Sequence, residues 1–132
     1  EDWLDRFERS KTIRCAEDQI MSPACRDDAV EGVARLIELD CGGTYHLPGE
    51  RPIMLIELLQ LLLDEVCKSR TVDVEIERCS LHDFPVLERR PLNSTMDASK
   101  IIAETGLELT PYEVICERMA WRLRPGADAI SN

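Results

Sequence analysis

The sequence predicts a mixed α/β domain, about four main helices around a few short strands. Three observations predict it. Two long segments, 27–39 and 53–68, repeat apolar residues at helical spacing. Shorter apolar runs at 12–15, 44–47 and 72–76 read as strands, with Gly42-Gly43 and Pro48-Gly49 as punctuation between elements. Helix-start signals recur late in the chain, at Asp97 and Thr110.

A length of 132 residues suits one domain with a modest core, assigned to residues 1–123, with 124–132 as a frayed tail. The net charge of −10 argues against non-specific binding to nucleic acid or to an anionic membrane. Any anion site must then be built locally from a few arginines. No apolar run is long enough to span a bilayer, and no signal-peptide pattern opens the chain. Residues 1–7 read instead as the middle of a helix, as in a piece of a longer protein.

The six cysteines form no C-x-x-C pair, and His46 and His82 complete no zinc spacing. Buried free thiols in a cytoplasmic protein are the expectation, with Cys67 and Cys116 on apolar faces. No metal ligand is assigned.

Taken in order, Trp3, Leu4 and Phe7 share one face of a short helix. A strand follows at 12–15, then a turn at Glu17-Asp18. Ser22-Pro23 breaks regular structure, so 18–24 is a loop. The helix at 27–39 has a broad apolar face from Ala29, Val30, Val33, Ala34, Leu36 and Ile37. Asp27 and Asp28 suit the positive end of its dipole, and are read as helix-start chemistry rather than a metal site.

Residues 44–47 are expected to form a strand, with His46 packed and hydrogen-bonded rather than catalytic. The helix at 53–68 carries Leu55, Leu58, Leu59, Leu62, Leu63 and Val66 as a core or interface stripe, with Pro52 in its first turn. Val72, Val74 and Ile76 alternate with acids as a half-exposed strand. The loop from 77 to 96 is long enough to suspect function. Asp97 caps a short helix ended by Gly106. Thr110-Pro111-Tyr112-Glu113 reads as a capping box for a last helix with Val114, Ile115, Met119 and Leu123 inward.

The polar stretch 89–100 is the most informative. Arg90-Pro91 offers a guanidinium on extended backbone, and Asn93 and Ser94 add short donors and acceptors. An arginine fork and an amide beside a helix start suit an anionic ligand such as a diphosphate.

Arg90-Pro91-x-Asn93-Ser94-x-x-Asp97-x-Ser99-Lys100, followed by Gly106, resembles the C-terminal signature of the dTDP-4-dehydrorhamnose reductase family. These are extended short-chain dehydrogenase/reductases acting on nucleotide sugars. Asp18-Gln19-Ile20-Met21-Ser22-Pro23-Ala24 is similar to the family's Asp-Gln-x-x-Ser/Ala-Pro-Thr, with Ala24 where Thr is usual. Gly43-Thr44-Tyr45-His46-Leu47 resembles its Gly-x-Tyr-His-Leu, a strand of the family's central sheet. The three matches run in one collinear order over nearly the whole chain.

The resemblance covers only the C-terminal, substrate-binding part, with the Rossmann core absent. No glycine-rich dinucleotide motif is present, and neither tyrosine begins the family's Tyr-x-x-x-Lys: Tyr45 leads to Gly49 and Tyr112 to Cys116. No catalytic or cofactor-binding residue is therefore assigned. The resemblance implies that Arg90 clamps the substrate diphosphate and Asn93 bonds the ribose side, with Gln19 and Ser22 near the same cleft. Arg89 and Lys100 are read as surface residues. The full protein would reduce the 4-keto group of a dTDP-sugar with NADPH, held by a missing N-terminal Rossmann half. The alternative is a non-catalytic regulatory subunit of the same family, its Leu-rich helix serving an interface. A third reading is a free-standing acidic α/β domain without a ligand. Without the other half, apolar surface should be exposed and the chain should self-associate as a homo-oligomer.

Overall fold

A computed structural model describes residues 3–9, 11–85 and 88–121. The chain runs α1 (Trp3–Arg9), β1 (Thr12–Ala16), β2 (Ile20–Met21), α2 (Arg26–Glu38), β3 (Ile53–Met54) and α3 (Leu55–Cys67). It continues through β4 (Glu75–Cys79), a single 3₁₀ turn (Leu81–Asp83), β5 (Asn93–Ser94), α4 (Ser99–Thr105) and α5 (Tyr112–Trp121). The α/β class is as expected, and the strands are short.

Two small sheets organise it. β1 and β4 pair in parallel, with Thr12 opposite Glu75 and Ala16 opposite Cys79. β2 lies between β3, antiparallel, and β5, parallel. The main core joins Leu4 and Phe7 of α1, Ile13 and Cys15 of β1, Leu59, Leu62 and Val66 of α3, and Cys116 and Ala120 of α5. These α3 residues recur at i, i+3 and i+7, one face of a helix turned to the sheet and to α5. A second cluster of Ala98, Ile101 and Leu107 packs with Leu36, Tyr45 and Leu47.

Glycine makes two close approaches possible. A Cβ at Gly49 would overlap the Tyr112 hydroxyl and the Pro23 carbonyl oxygen. A Cβ at Gly32 would overlap the tip of the Leu47 side chain and crowd Ile101 of α4 and Leu107, so the bare position lets α2 sit close to that cluster.

Several expectations are corrected. Residues 44–47 form no strand with the described residues; Lys100 instead donates to the Thr44 carbonyl at 3.1 Å. An extended segment becomes a strand only when a neighbour pairs with its backbone. His46 in that segment is exposed, not packed. The late strand is 75–79 rather than 72–76, because its partner β1 sets the register. α3 starts at Leu55, and Pro52 lies before β3.

The capping box at Thr110 does not form. Thr110 donates through N and Oγ1 to the buried Asp28 carboxylate, at 2.8 and 2.5 Å, and Glu50 accepts from the Tyr112 N–H at 2.9 Å. Asp28 takes both the N–H and the hydroxyl of Thr110, which leaves neither for Glu113. Asp97 does cap α4, from one residue outside the flanking Ala98, by accepting from Ser99 N at 2.8 Å. All six cysteines are free, and Cys15 and Cys116 are buried. Cys67 is exposed, since it follows Val66 at the end of α3 and points off the buried stripe. Leu123 and the tail 124–132 lie outside the described residues. No helix among the described residues is long and apolar enough to cross a membrane.

Candidate functional site

A cleft of about 440 Å³ opens between α1, β1, the start of α3 and the loop after β4. Arg6, Arg14 and Arg90 line it, together with Gln19, Leu55 and Phe84. Three arginines thus line one cavity of a chain whose net charge is −10.

Strand alternation positions Arg14. On β1, Ile13 and Cys15 turn into the core while Arg14 stays outside. Its Nε lies 3.3 Å from Glu77, its opposite number on β4, and its guanidinium stands 5.3 Å from the Phe84 ring centroid. Gln19 is buried, and its backbone carbonyl accepts from Leu55 N at 2.9 Å, which ties it to the start of α3. Arg90 is exposed, on the loop that leads into β5.

That loop is fixed at both ends by neighbouring residues. Asp18 accepts from Ser80 Oγ at 2.6 Å and from Leu81 N at 2.8 Å. Ile20 donates to the Leu92 carbonyl at 2.7 Å, and β2 pairs with β5 at Ile20 and Asn93. Gln19 stands between these two anchors. The bonds from Ser80 and Leu81 hold the Asp18 carboxyl below the usual aspartate value.

Of the four residues singled out from sequence, Gln19 and Arg90 meet in the cleft. Ser22 and Asn93 lie outside its lining. Ser22 is buried and its Oγ accepts from Met96 N at 3.1 Å. Asn93 Oδ1 accepts from Thr95 N at 3.0 Å and Thr95 Oγ1 at 2.8 Å, a local turn. The sequence reading missed Arg6, Arg14 and Phe84. Arg14 carried one available signal, its place between the apolar Ile13 and Cys15 of an alternating strand. Asp18 was quoted within a motif but given no role.

The Cys15 thiol in the cleft wall is pushed up to about 11, by burial first and then by Cys79, so it stays protonated. Away from the cleft, in the second cluster, Tyr45 is raised to about 12, chiefly by its hydrogen bond to Glu104, although Lys100 Nζ sits 4.0 Å from its ring centroid. A tyrosine so held is a poor proton donor. Among the described residues, no group of three or more His, Cys, Asp or Glu could hold a metal ion.

The same architecture occurs in solved structures of much longer chains. A dTDP-4-dehydrorhamnose reductase from Clostridium acetobutylicum ATCC 824 superposes with a TM-score of 0.77 at 16% identity, over 87% of this chain and 40% of that one. The dTDP-4-dehydrorhamnose reductase of Bacillus anthracis str. Ames, in complex with NADP, gives 0.75 at 21% identity, again over 87% and 40%. The UDP-glucuronic acid 4-epimerase of Bacillus cereus, in complex with NAD, gives 0.61 at 15% identity over 91% and 37%. The chain therefore spans about 40% of the length of the reductases it resembles. No curated protein matches it by sequence.

The fold is thus that of the substrate-binding part of an extended reductase. Residues 2–124 match the RmlD substrate binding domain model, and the chain belongs to that family.

Proposed function

We propose that this domain binds the nucleotide diphosphate of a dTDP-sugar, as part of a dTDP-4-dehydrorhamnose reductase-like oxidoreductase. One observation carries the reading: Arg6, Arg14 and Arg90 line a single cleft with Gln19 in an otherwise acidic protein. Guanidinium groups match phosphate oxygens in charge and fork geometry. Arg90, on the loop, is the diphosphate clamp, and Gln19 supplies a hydrogen bond from the fixed wall. Asn93 and Ser22 act at one remove in this reading, by shaping the loop that carries Arg90.

In the parent protein, NADPH would supply hydride to the 4-keto group. The residues here do not fit a dinucleotide site. α2 follows Cys25 and α3 follows Met54, and neither helix opens from a glycine-rich turn. The cofactor and the proton donor are assigned to an N-terminal Rossmann half outside this chain, in a cytoplasmic enzyme. Val30, Val33 and Ile37 of α2 are open to solvent, which favours a covering body, whether that half or a partner enzyme of a regulatory subunit.

The test is a titration of the chain with dTDP, and with NADPH in parallel, followed by amide chemical shifts. Shifts at Gln19 and Arg90 with dTDP and none with NADPH are expected. Equal shifts with both, or shifts confined to α2, would overturn the reading.

A further inference from the structure

We infer that Asp18 is a positioning residue for the anion cleft, pinning the loop that carries Phe84 and Arg90 to the wall that carries Gln19. The inference rests on reading the cleft as the dTDP site.

The geometry is specific. Both oxygens of the Asp18 carboxylate are engaged by the start of the loop, Oδ2 by Ser80 Oγ at 2.6 Å and Oδ1 by Leu81 N at 2.8 Å. Ser80 relays the contact, accepting from His82 N at 3.2 Å, and its own N–H donates to Asp83 Oδ2 at 2.9 Å. These bonds close the 3₁₀ turn and bury Leu81. The turn delivers Phe84 to Arg14 across the cleft. The far end of the same loop returns to β2 at Ile20. Residues 18, 19 and 20 thus act in sequence as anchor, cleft wall and anchor. Removing the first anchor frees one end of a long connection, and Arg90 then samples positions away from Gln19.

The test compares wild type, Asp18→Ala, Asp18→Asn and Arg90→Ala, by calorimetric titration with dTDP and by amide hydrogen exchange. Asp18→Ala should weaken dTDP binding about tenfold, the scale of a lost charge-assisted hydrogen bond, and should release the Leu81 amide to exchange. Asp18→Asn keeps an acceptor for Leu81 N and should lie between. A carboxylate with only a structural role would lower the urea midpoint and leave affinity in folded protein unchanged. That result, with wild type binding and Asp18→Ala binding equally, would overturn the role of Asp18 alone. If wild type fails to bind dTDP, the cleft reading falls and this inference with it. Should Asp18→Ala not fold, Ser80→Ala removes one of the same two bonds and must weaken binding.

Discussion

α2 and α3 are both thirteen residues long, and both repeat apolar residues at helical spacing. α3 buries Leu59, Leu62 and Val66 completely. α2 buries Asp28 and Gly32, and leaves Val30, Val33 and Ile37 exposed at 67, 54 and 74%. The difference teaches that periodicity identifies a helix but not which side the fold covers. α2 turns its bare glycine to α4 and its carboxylate to Thr110, while its apolar stripe faces out. A stripe of that kind has a hydrophobic driving force with nothing yet to meet it.

Core truncation should separate the two helices most. Leu59→Ala is expected to lower stability by about 2–5 kcal/mol, through lost burial and the cavity left behind. Val33→Ala should stay within about 0.5 kcal/mol of wild type, as exposed positions do. Urea denaturation measures both. Recorded at concentrations where the chain is monomeric, comparable losses would mean that the α2 stripe is packed within the single chain.

The other side of α2 offers a sharper contrast. Gly32→Val forces a side chain against Leu47, near Ile101 and Leu107, and should cost about 1–3 kcal/mol by overpacking. Gly42→Val has no atom within 4 Å of the new Cβ and provides the control. A neutral Gly32→Val would show that the Leu47 side chain yields and that the contact is not tight.

Self-association tests the open stripe directly. Sedimentation of the chain should show a concentration-dependent assembly, and Ile37→Asp should shift it several-fold toward monomer without unfolding it, because a charge removes apolar area from the contact. Clean monomer for wild type at high concentration would leave the stripe as plain surface.

Much of this was legible in the sequence, for identifiable reasons. The helices at 27–39 and 53–68 and the Gly106 stop followed from local rules, and the structure gives Gly106 a left-handed φ of 64°. The motif around Arg90 and Gln19 pointed to residues that do share a cleft. What was not legible depended on partners distant in sequence. Thr110 found Asp28 rather than Glu113, Arg14 and Phe84 meet only because β1 and the loop after β4 are adjacent, and 44–47 pairs with no strand among the described residues. The resemblance implied that Asn93 bonds the ribose side and that Ser22 lies near the cleft; in the structure Asn93 accepts from Thr95, and Ser22 accepts from Met96 N. Short polar side chains serve either role, and sequence does not separate the two.

The smallest expected effect is a pH dependence that belongs to the cleft side and not to the α2 stripe. The Asp18 carboxyl lies below its ordinary value of 3.8 because Ser80 and Leu81 donate to its charged form. A folded-state pKa below the unfolded one means that the folded chain binds the proton less readily than the unfolded chain. The stabilisation is therefore fully present above the ordinary aspartate range and is lost as pH falls through the lowered value. Asp97, held down by the Ser99 N–H and hydroxyl, contributes with the same sign in the same window. Urea midpoints recorded from pH 6 down to pH 2 should fall, and Asp18→Asn should flatten part of that limb, since an amide has no proton to take up. Ile37→Asp adds a carboxyl in open solvent and should leave the slope nearly as it was. If Asp18→Asn keeps the wild-type slope, the Ser80–Leu81 anchor contributes nothing to acid sensitivity, and the loop must be held by β2 and β5 alone.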